Sequence, residues 1–485
     1  MVKITVNGRV VDADPTKPLI RACHDNDVDV PMYCYHPGLS PVGSCRICQV
    51  EVKQGEAPGR VMVACRTQPV EGMIVDTESP KAHDTRRECL EFLLKNHPLD
   101  CPICDKAGEC DLQDYAYDEG QAEGRSNEPR RPMEKRKSLG DVIVLDEERC
   151  ILCSRCVRFF EEVPKKAQLT VSDLGSRSII STFMDRPLTG NYQGNIADLC
   201  PVGALTLKKF RFQARVWNLV KMASTCVECS RGCSIQVEVL RGSDVKRFRP
   251  RANEKVNGHW MCDYGRFAIG HANADGRLEG ARIMEGVTLL QSPIEDGLCA
   301  VRDALMSSKG ALFVLSPYCT VEEGQALLEL ARRHRAEIAF VSPAANALKD
   351  DLLHTGDPCP NRRGLSELGI AGDTPLNLTK RIAAAKVAVV AGERVVEILG
   401  AAEVKALPAT VALYAFECHP VEARALRCEI GIANHVERAG TVVNLDGIRG
   451  PLAAVKPAPR GVRALSRHLE DLARLSPLSK ESASR

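Results

Sequence analysis

The sequence predicts a multidomain α+β chain, with a small β-rich domain first, a cysteine-rich middle and an α/β layer last. Three observations carry this. A length of 485 residues is room for three or four domains at ~100–200 residues each. Seventeen of the 22 cysteines fall within residues 1–262. Beyond about residue 275, apolar strand-like runs alternate with helical stretches, the pattern of a parallel sheet flanked by helices.

Composition narrows the function classes. Lys+Arg 65 against Asp+Glu 63 leaves a net charge of +2, without the basic excess that nucleic-acid binding requires. Aromatics at 4% leave few stacking platforms for single strands. No apolar run approaches the ~18 residues of a membrane span. The first residues alternate about Asn7-Gly8 and resemble neither a signal nor a transit peptide. The chain is therefore expected in the cytoplasm, with membrane contact only through partners. There, 22 cysteines argue for metal rather than disulfides.

Residues 1–78 read as a β-rich domain: strands Val2–Val6 and Arg9–Ala13 about the Asn7-Gly8 turn, a short helix from Pro18, and a cysteine loop over 32–48. Residues 79–118 carry an amphipathic helix at 86–95, with Cys89, Leu90, Leu93 and Leu94 at helical spacing and Asn96, His97 and Pro98 ending it. Residues 119–140, with Lys135, Arg136 and Lys137, read as a solvated polar linker, a partner-docking strip being the alternative. Residues 141–215 and 216–272 each hold a cysteine group. Residues 275–460 predict strands at 311–315, 337–341, 386–390 and 410–416, and helices at 320–334 and 393–402. Residues 461–485 read as a polar, fraying tail. No repeat of fixed period occurs.

Four ligand groups stand out. Cys34, Cys45, Cys48 and Cys65 form C-x10-C-x2-C-x16-C, close to the plant-type [2Fe–2S] spacing. Gly38, Gly43 and Ser44 suit a loop whose N–H groups approach sulfide. His97, Cys101, Cys104 and Cys110 form H-x3-C-x2-C-x5-C, in which an imidazole stands where a fourth thiolate is missing. Cys150, Cys153 and Cys156 form C-x2-C-x2-C, three thiolates on one tight turn as a cubane face needs. The next cysteine of the bacterial ferredoxin pattern would fall at Phe160, and Cys200, followed by Pro201, supplies the fourth ligand. Cys226, Cys229, Cys233 and Cys262 form a looser triplet with a remote closer. Structural zinc is the competing reading for the first, second and fourth groups. Cys89 reads as a small core residue.

These residues resemble a known family. RRECLEFLLKNHPLDCPICDKAGECD at 86–111 is similar to the histidine-ligated cluster domain of the large iron–sulfur subunit of NADH:quinone oxidoreductase, respiratory complex I. RCILCSRCVRF at 149–159, GNIADLCPVGALT at 194–206 and CYHPGLSPVGSCRICQVEV at 34–52 resemble the same subunit. The resemblance covers residues 1–272. Soluble NAD-linked hydrogenase and formate dehydrogenase subunits share its first three groups, so they stand as the alternative, with a zinc-stabilised scaffold behind them. ERAGTVVNLDG at 437–447 looks like the glycine-rich turn of molybdopterin oxidoreductases.

The resemblance implies a ferredoxin-like β-grasp domain at 1–78, [4Fe–4S] domains at 79–118, 141–215 and 216–272, and a truncated molybdopterin-oxidoreductase-like domain at 275–460. It implies one [2Fe–2S] and three [4Fe–4S] clusters, no molybdopterin and no active site of the chain's own. The first three groups would form the electron path and the fourth would lie off it. Implied partners are the NADH/FMN-binding flavoprotein subunit and the quinone-proximal iron–sulfur subunits, peripheral on the cytoplasmic side of the bacterial inner membrane. The loop at 54–60 is longer than the family's usual one, which bears on Cys65 as fourth ligand.

Overall fold

A computed structural model describes residues 1–308 and 310–475, and these divide into two compact units, Met1–Asn218 and Leu219–Arg485.

The first unit opens with the hairpin β1 (Val2–Val6) and β2 (Arg9–Ala13). Asn7 and Gly8 turn it at φ 45 and 79, the two left-handed residues that a two-residue hairpin needs. Helix α1 (Leu19–His24) follows, then β3 (Gln49–Lys53), β4 (Arg60–Val63) and β5 (Ile74–Asp76). The sheet order is β2-β1-β5-β3-β4, with β1 and β5 parallel. Ile4, Val6, Val50 and Val75 on one sheet face bury against Leu19 and Ile20 of α1. The long loop noted in the sequence is the β3–β4 turn. It leaves the register from Gln49↔Val63 to Val52↔Arg60 unbroken, so Cys65 follows two residues beyond β4.

Helix α2 (Pro80–Leu94) starts earlier than the sequence predicts, because Ser79 caps it by accepting from the Ala82 N–H and Pro80 fits the first turn. Its buried face is Ala82, Arg86 and Leu90. Cys89 is only half-buried and Phe92 is 78% exposed, so the predicted apolar face is not a closed core. Arg86 clamps the helix to the sheet by donating to the Gln49 and Thr77 carbonyls and pairing with Glu119. Helix α3 (Asp111–Asp118) follows. The polar segment 119–140 is tethered rather than freely solvated: Arg125 pairs with Glu91, Lys95 with Glu128, and Lys135 with Asp100 and Glu148. Strands β6 (Lys137–Ser138) and β7 (Ile143–Leu145), helix α4 (Arg155–Glu162), hairpin β8 (Thr170–Ser172) and β9 (Ile179–Ser181), helix α5 (Asn195–Leu199) and strand β10 (Leu205–Leu207) complete the unit.

The second unit begins with an antiparallel meander, β11 (Leu219–Thr225), β12 (Ser234–Leu240) and β13 (Asp244–Pro250), with helices α6 (Asp263–Arg266) and α7 (Ile269–Ala272) after it. The α/β layer follows as β14 (Ala281–Glu285), β15 (Thr288–Ser292), α8 (Ile294–Ser307), β16 (Leu312–Leu315), α9 (Val321–Arg333), β17 (Glu337–Val341), α10 (Arg362–Glu367), β18 (Ala371–Asp373), α11 (Pro375–Ala384) and β19 (Val387–Ala391). It continues through α12 (Val395–Leu399), α13 (Ala401–Lys405), β20 (Ala412–Glu417) and β21 (Leu426–Gly431). A hairpin, β22 (Gly440–Val443) and β23 (Arg449–Leu452), and helix α14 (Leu465–Leu475) end it.

The eight-stranded order is β15-β14-β21-β20-β19-β16-β17-β18, parallel from β21 to β18. Helix α9 carries a full capping box, Thr320 with Glu323. Two sequence expectations are corrected here. The helix expected at 393–402 is split by Gly400 at φ 100 into α12 and α13. The expected frayed tail holds α14, whose Leu465, Leu469 and Leu472 are buried in the core; residues 476–485 of that tail lie outside the described residues.

Candidate metal centres

The first group converges. Cys34, Cys48 and Cys65 are buried and Cys45 is half-buried. Cys45 donates to the Cys34 sulfur at 3.4 Å, and the Cys34 N–H meets the Cys45 sulfur at 3.3 Å. Hydrogen bonds from Cys45 and Cys65 hold the Cys34 thiol well below its ordinary range, and the bonds to Cys34 and Cys48 push Cys65 up. The Cys34 sulfur thus neighbours those of Cys45 and Cys65, and the Cys65 sulfur that of Cys48, so the long β3–β4 turn does not remove Cys65 from the group. Gly43 at φ 72 and Arg46 at φ 60 curl the loop so that its cysteines face inward.

In the second group, Cys101 and Cys104 lie on one helical turn, and the Cys104 N–H bonds the Cys101 carbonyl at 3.3 Å. Burial pushes Cys110 up to about 11, with Cys104 adding to the shift. His97 and Cys101 line one cavity with Leu90, Leu94 and Pro98. The His97 Nδ1 is buried with no hydrogen-bond partner. Burial, with help from Arg149, lowers the ring to about 4. It is a neutral imidazole with a buried, unbonded ring nitrogen, the form that binds metal.

In the third group Cys153, Cys156 and Cys200 are buried and Cys150 is half-buried. Cys150, Cys153, Cys156 and Cys200 line one small cavity with Leu145, Ile180, Val202 and Leu205. Leu152 at φ 53 and Ser154 at φ 58 are left-handed, a strained choice for non-glycine residues. The alternation folds three cysteines onto one side of the turn, and the Leu152 N–H bonds the Cys150 sulfur at 3.4 Å. In the fourth group, the Cys226 N–H bonds the Cys233 carbonyl at 2.9 Å. A Cβ on Gly265 would stand 2.9 Å from the Cys226 sulfur and 3.7 Å from that of Cys262, so these two thiols flank one glycine. Burial pushes Cys226 and Cys233 well up and Cys262 to about 12.

The donor sets fit iron–sulfur clusters. Buried thiols held neutral in an apolar pocket are inert. Several can become thiolates together only against cationic metal. Among the described residues, no three His, Cys, Asp or Glu side chains are gathered as the ligands of a single ion would be.

Sequence profiles of known families match along the chain in order. They are a 2Fe-2S iron-sulfur cluster binding domain at 1–80, the NADH-ubiquinone oxidoreductase-G iron-sulfur binding region at 86–125, the NADH-quinone oxidoreductase subunit 3 ferredoxin-like domain at 140–206, and the NADH-ubiquinone oxidoreductase NDSU1/NuoG-like 4Fe-4S domain at 220–270. NADH-quinone oxidoreductase subunit 3 of Thermus thermophilus is 36% identical over 366 residues, 68% of this chain and 46% of that one. The corresponding NADH-quinone oxidoreductase subunit of Streptomyces coelicolor is 35% identical over 337 residues, 68% and 39% of the two chains. The chain belongs to the family of the large iron–sulfur subunit of NADH-quinone oxidoreductase.

The mitochondrial 78 kDa subunit of Neurospora crassa NADH-ubiquinone oxidoreductase is 43% identical over 270 residues, 55% of this chain and 36% of that one. This member of the large iron–sulfur subunit family spans less than half the length of these relatives. A solved chain of NAD+-reducing [NiFe]-hydrogenase is 28% identical with a TM-score of 0.40, covering 44% of this chain and 91% of its own.

Sequence spacing misses the residues that join the groups. Arg149, next to Cys150, pairs at 2.8 Å with Asp100, next to Cys101. A Cβ on Gly203 would stand 2.1 Å from the Cys104 sulfur, so the turn after Cys200 packs directly on the second group. Arg215 donates to the Pro102 and Cys104 carbonyls of that group. Arg155 and Arg158 of α4 donate to carbonyls of the first loop. The third group therefore touches both the first and the second.

Proposed function

We propose that this iron–sulfur family member relays electrons within an NADH:quinone oxidoreductase, holding a [2Fe–2S] cluster at Cys34, Cys45, Cys48 and Cys65. Three [4Fe–4S] clusters would be held by His97 with Cys101, Cys104 and Cys110; by Cys150, Cys153, Cys156 and Cys200; and by Cys226, Cys229, Cys233 and Cys262. Such clusters supply reversible one-electron chemistry. The observation that carries the reading is the contiguity of the first three groups through buried contacts, in the order first, third, second. The protein's own part is to hold the thiols inward on left-handed turns, to exclude water, and to fix the spacing of neighbouring groups.

The flavoprotein subunit and quinone-proximal iron–sulfur subunits are the partners this reading requires, with the complex on the cytoplasmic face of a bacterial membrane and coupled to proton translocation. Among the described residues no helix is long and apolar enough to cross a membrane, in keeping with attachment through partners.

The C-terminal layer is read as a molybdopterin-oxidoreductase-like scaffold without the cofactor. In open parallel sheets a ligand binds at the topological switch point, here between β16 and β19. The loops after these two strands approach each other closely there, which supports the reading. A Cβ on Gly392 would stand 2.5 Å from the Cys319 sulfur and 2.8 Å from Ser316. The Ser316 N–H and hydroxyl bond the Ala391 and Glu393 carbonyls.

Two substitutions test the division of labour. Cys153→Ala in the assembled complex should abolish quinone reduction while sparing NADH oxidation by an artificial acceptor. Cys229→Ala should lower assembly or thermal stability, because metal binding contributes folding free energy, and leave turnover per assembled complex nearly intact. A Cys229 variant that assembles normally and has lost turnover would contradict the off-path role of the fourth group.

A further inference from the structure

Helix α4 begins inside the third group and ends against the first. Cys156 lies in its first turn, and Arg155, Arg158 and Glu162 recur three and four residues apart, so they share one face. That face grips the first loop. Arg155 donates to the Tyr35 carbonyl and, at 3.1 Å, to the Leu199 carbonyl beside Cys200. Arg158 donates to the carbonyls of Cys34 and Ser40. Glu162 accepts from the Ser40 N–H at 2.8 Å and from its hydroxyl.

Among the described residues both arginines lack a direct carboxylate partner, although Glu162 shares their helix face and Asp111 lies within electrostatic reach of Arg155. Both arginines are buried, at 5% and 8% exposure, and their guanidinium bonds go to carbonyls and the Ser154 hydroxyl. A buried permanent cation is costly unless a negative charge stands near it. Arg155 directly precedes Cys156 and bonds the carbonyl next to Cys200, and Arg158 bonds the Cys34 carbonyl, so both charges stand within the ligand loops of the two groups. Carbonyls supply dipoles but no net charge, whereas a cluster held by thiolates is an anion.

We propose that Arg155 and Arg158 are positioning residues for the first and third clusters. They set the spacing of the two ligand loops and act as the shared counter-charge that favours reduction of both. This rests on the reading that both groups hold clusters. Because the guanidinium charge is permanent, its contribution to the two potentials is independent of pH across the physiological range.

The test uses the purified complex. Arg158→Gln keeps a hydrogen-bonding side chain and removes the charge, and Arg158→Lys keeps the charge and loses the fork. Redox titration followed by electron paramagnetic resonance should show the first and third clusters shifted to more negative potential in Arg158→Gln. The second cluster should be unmoved, and the Lys variant should stay near the parent. If Arg158→Gln does not accumulate, iron and sulfide content of Arg158→Met and Arg158→Lys decides: loss confined to the first and third groups in Met, with retention in Lys, supports the counter-charge. Unchanged potentials in Arg158→Gln with all clusters present overturn the proposal, as does equal iron loss in Met and Lys. Absence of iron from these groups in the parent protein would instead overturn the cluster reading itself.

Discussion

His97 follows the end of α2 with one ring nitrogen buried and unbonded. If that nitrogen ligates metal, His97→Ala should erase the spectroscopic signal of the second cluster alone. His97→Cys should keep a cluster at lower potential, because an anionic ligand replaces a neutral one. Unchanged signals in His97→Ala would make it a helix-end residue. Gly203 is the complementary case. Even one methyl there collides with the Cys104 sulfur at 2.1 Å. Gly203→Ala should cost about 1–3 kcal/mol of stability by overpacking and disturb the second cluster before the first, as read by thermal melting with resonance spectra. The proposed ligands were legible because cysteine at short spacing has few other uses in such a chain. Arg149, Arg155 and Arg158 were not legible as joints. The partners of the last two are main-chain carbonyls some 120 positions earlier, and a carbonyl carries no residue-type signal.

Strands β3 and β4 take their pairing from the alternation of Val50 and Val52 against the core, not from the turn between them. Replacing 54–58 by Asn-Gly should therefore leave the first cluster's signal and the melting temperature nearly unchanged. Loss of that signal would tie the long turn to the position of Cys65. At the end of β20, burial pushes Glu417 up to about 7, against N–H bonds from Arg394, Val396 and Cys418. Folded, it keeps its proton to about pH 7, and unfolded it loses it near ~4.3. The folded state binds the extra proton across that window, so stability falls as pH rises through it. Glu417→Gln should raise the melting temperature at about pH 8, a gain on the order of 3 kcal/mol that fades towards pH 5. A gain that does not vary with pH would contradict the assignment. Strands β16, β17, β19 and β20 and helix α9 were legible from the alternation of apolar runs, whereas β14, β15, β18, β21, α8, α10 and α11 were not. The meander β11–β13 carries a period-2 signal of its own, Ile235, Val237 and Val239 alternating with Ser234, Gln236 and Glu238; what that pattern hides is that Glu238, on the polar side, is fully buried beside Arg247 and Arg249.

On the scale of the whole chain, one unit gathers three of the proposed ligand groups into a contiguous series, and the other joins the fourth to a largely parallel sheet. No pterin should be released by acid from the purified protein, and a released pterin would overturn the scaffold reading. The two-unit division was only partly legible, since cysteine spacing marks ligand groups and not the packing that makes 1–218 cohere. The central claim is that four cluster sites occupy this chain, and metal analysis under anaerobic conditions tests it most directly. The purified protein should hold about 14 iron atoms and as many acid-labile sulfides per chain, with little zinc. Stoichiometric zinc with only a few irons would contradict it.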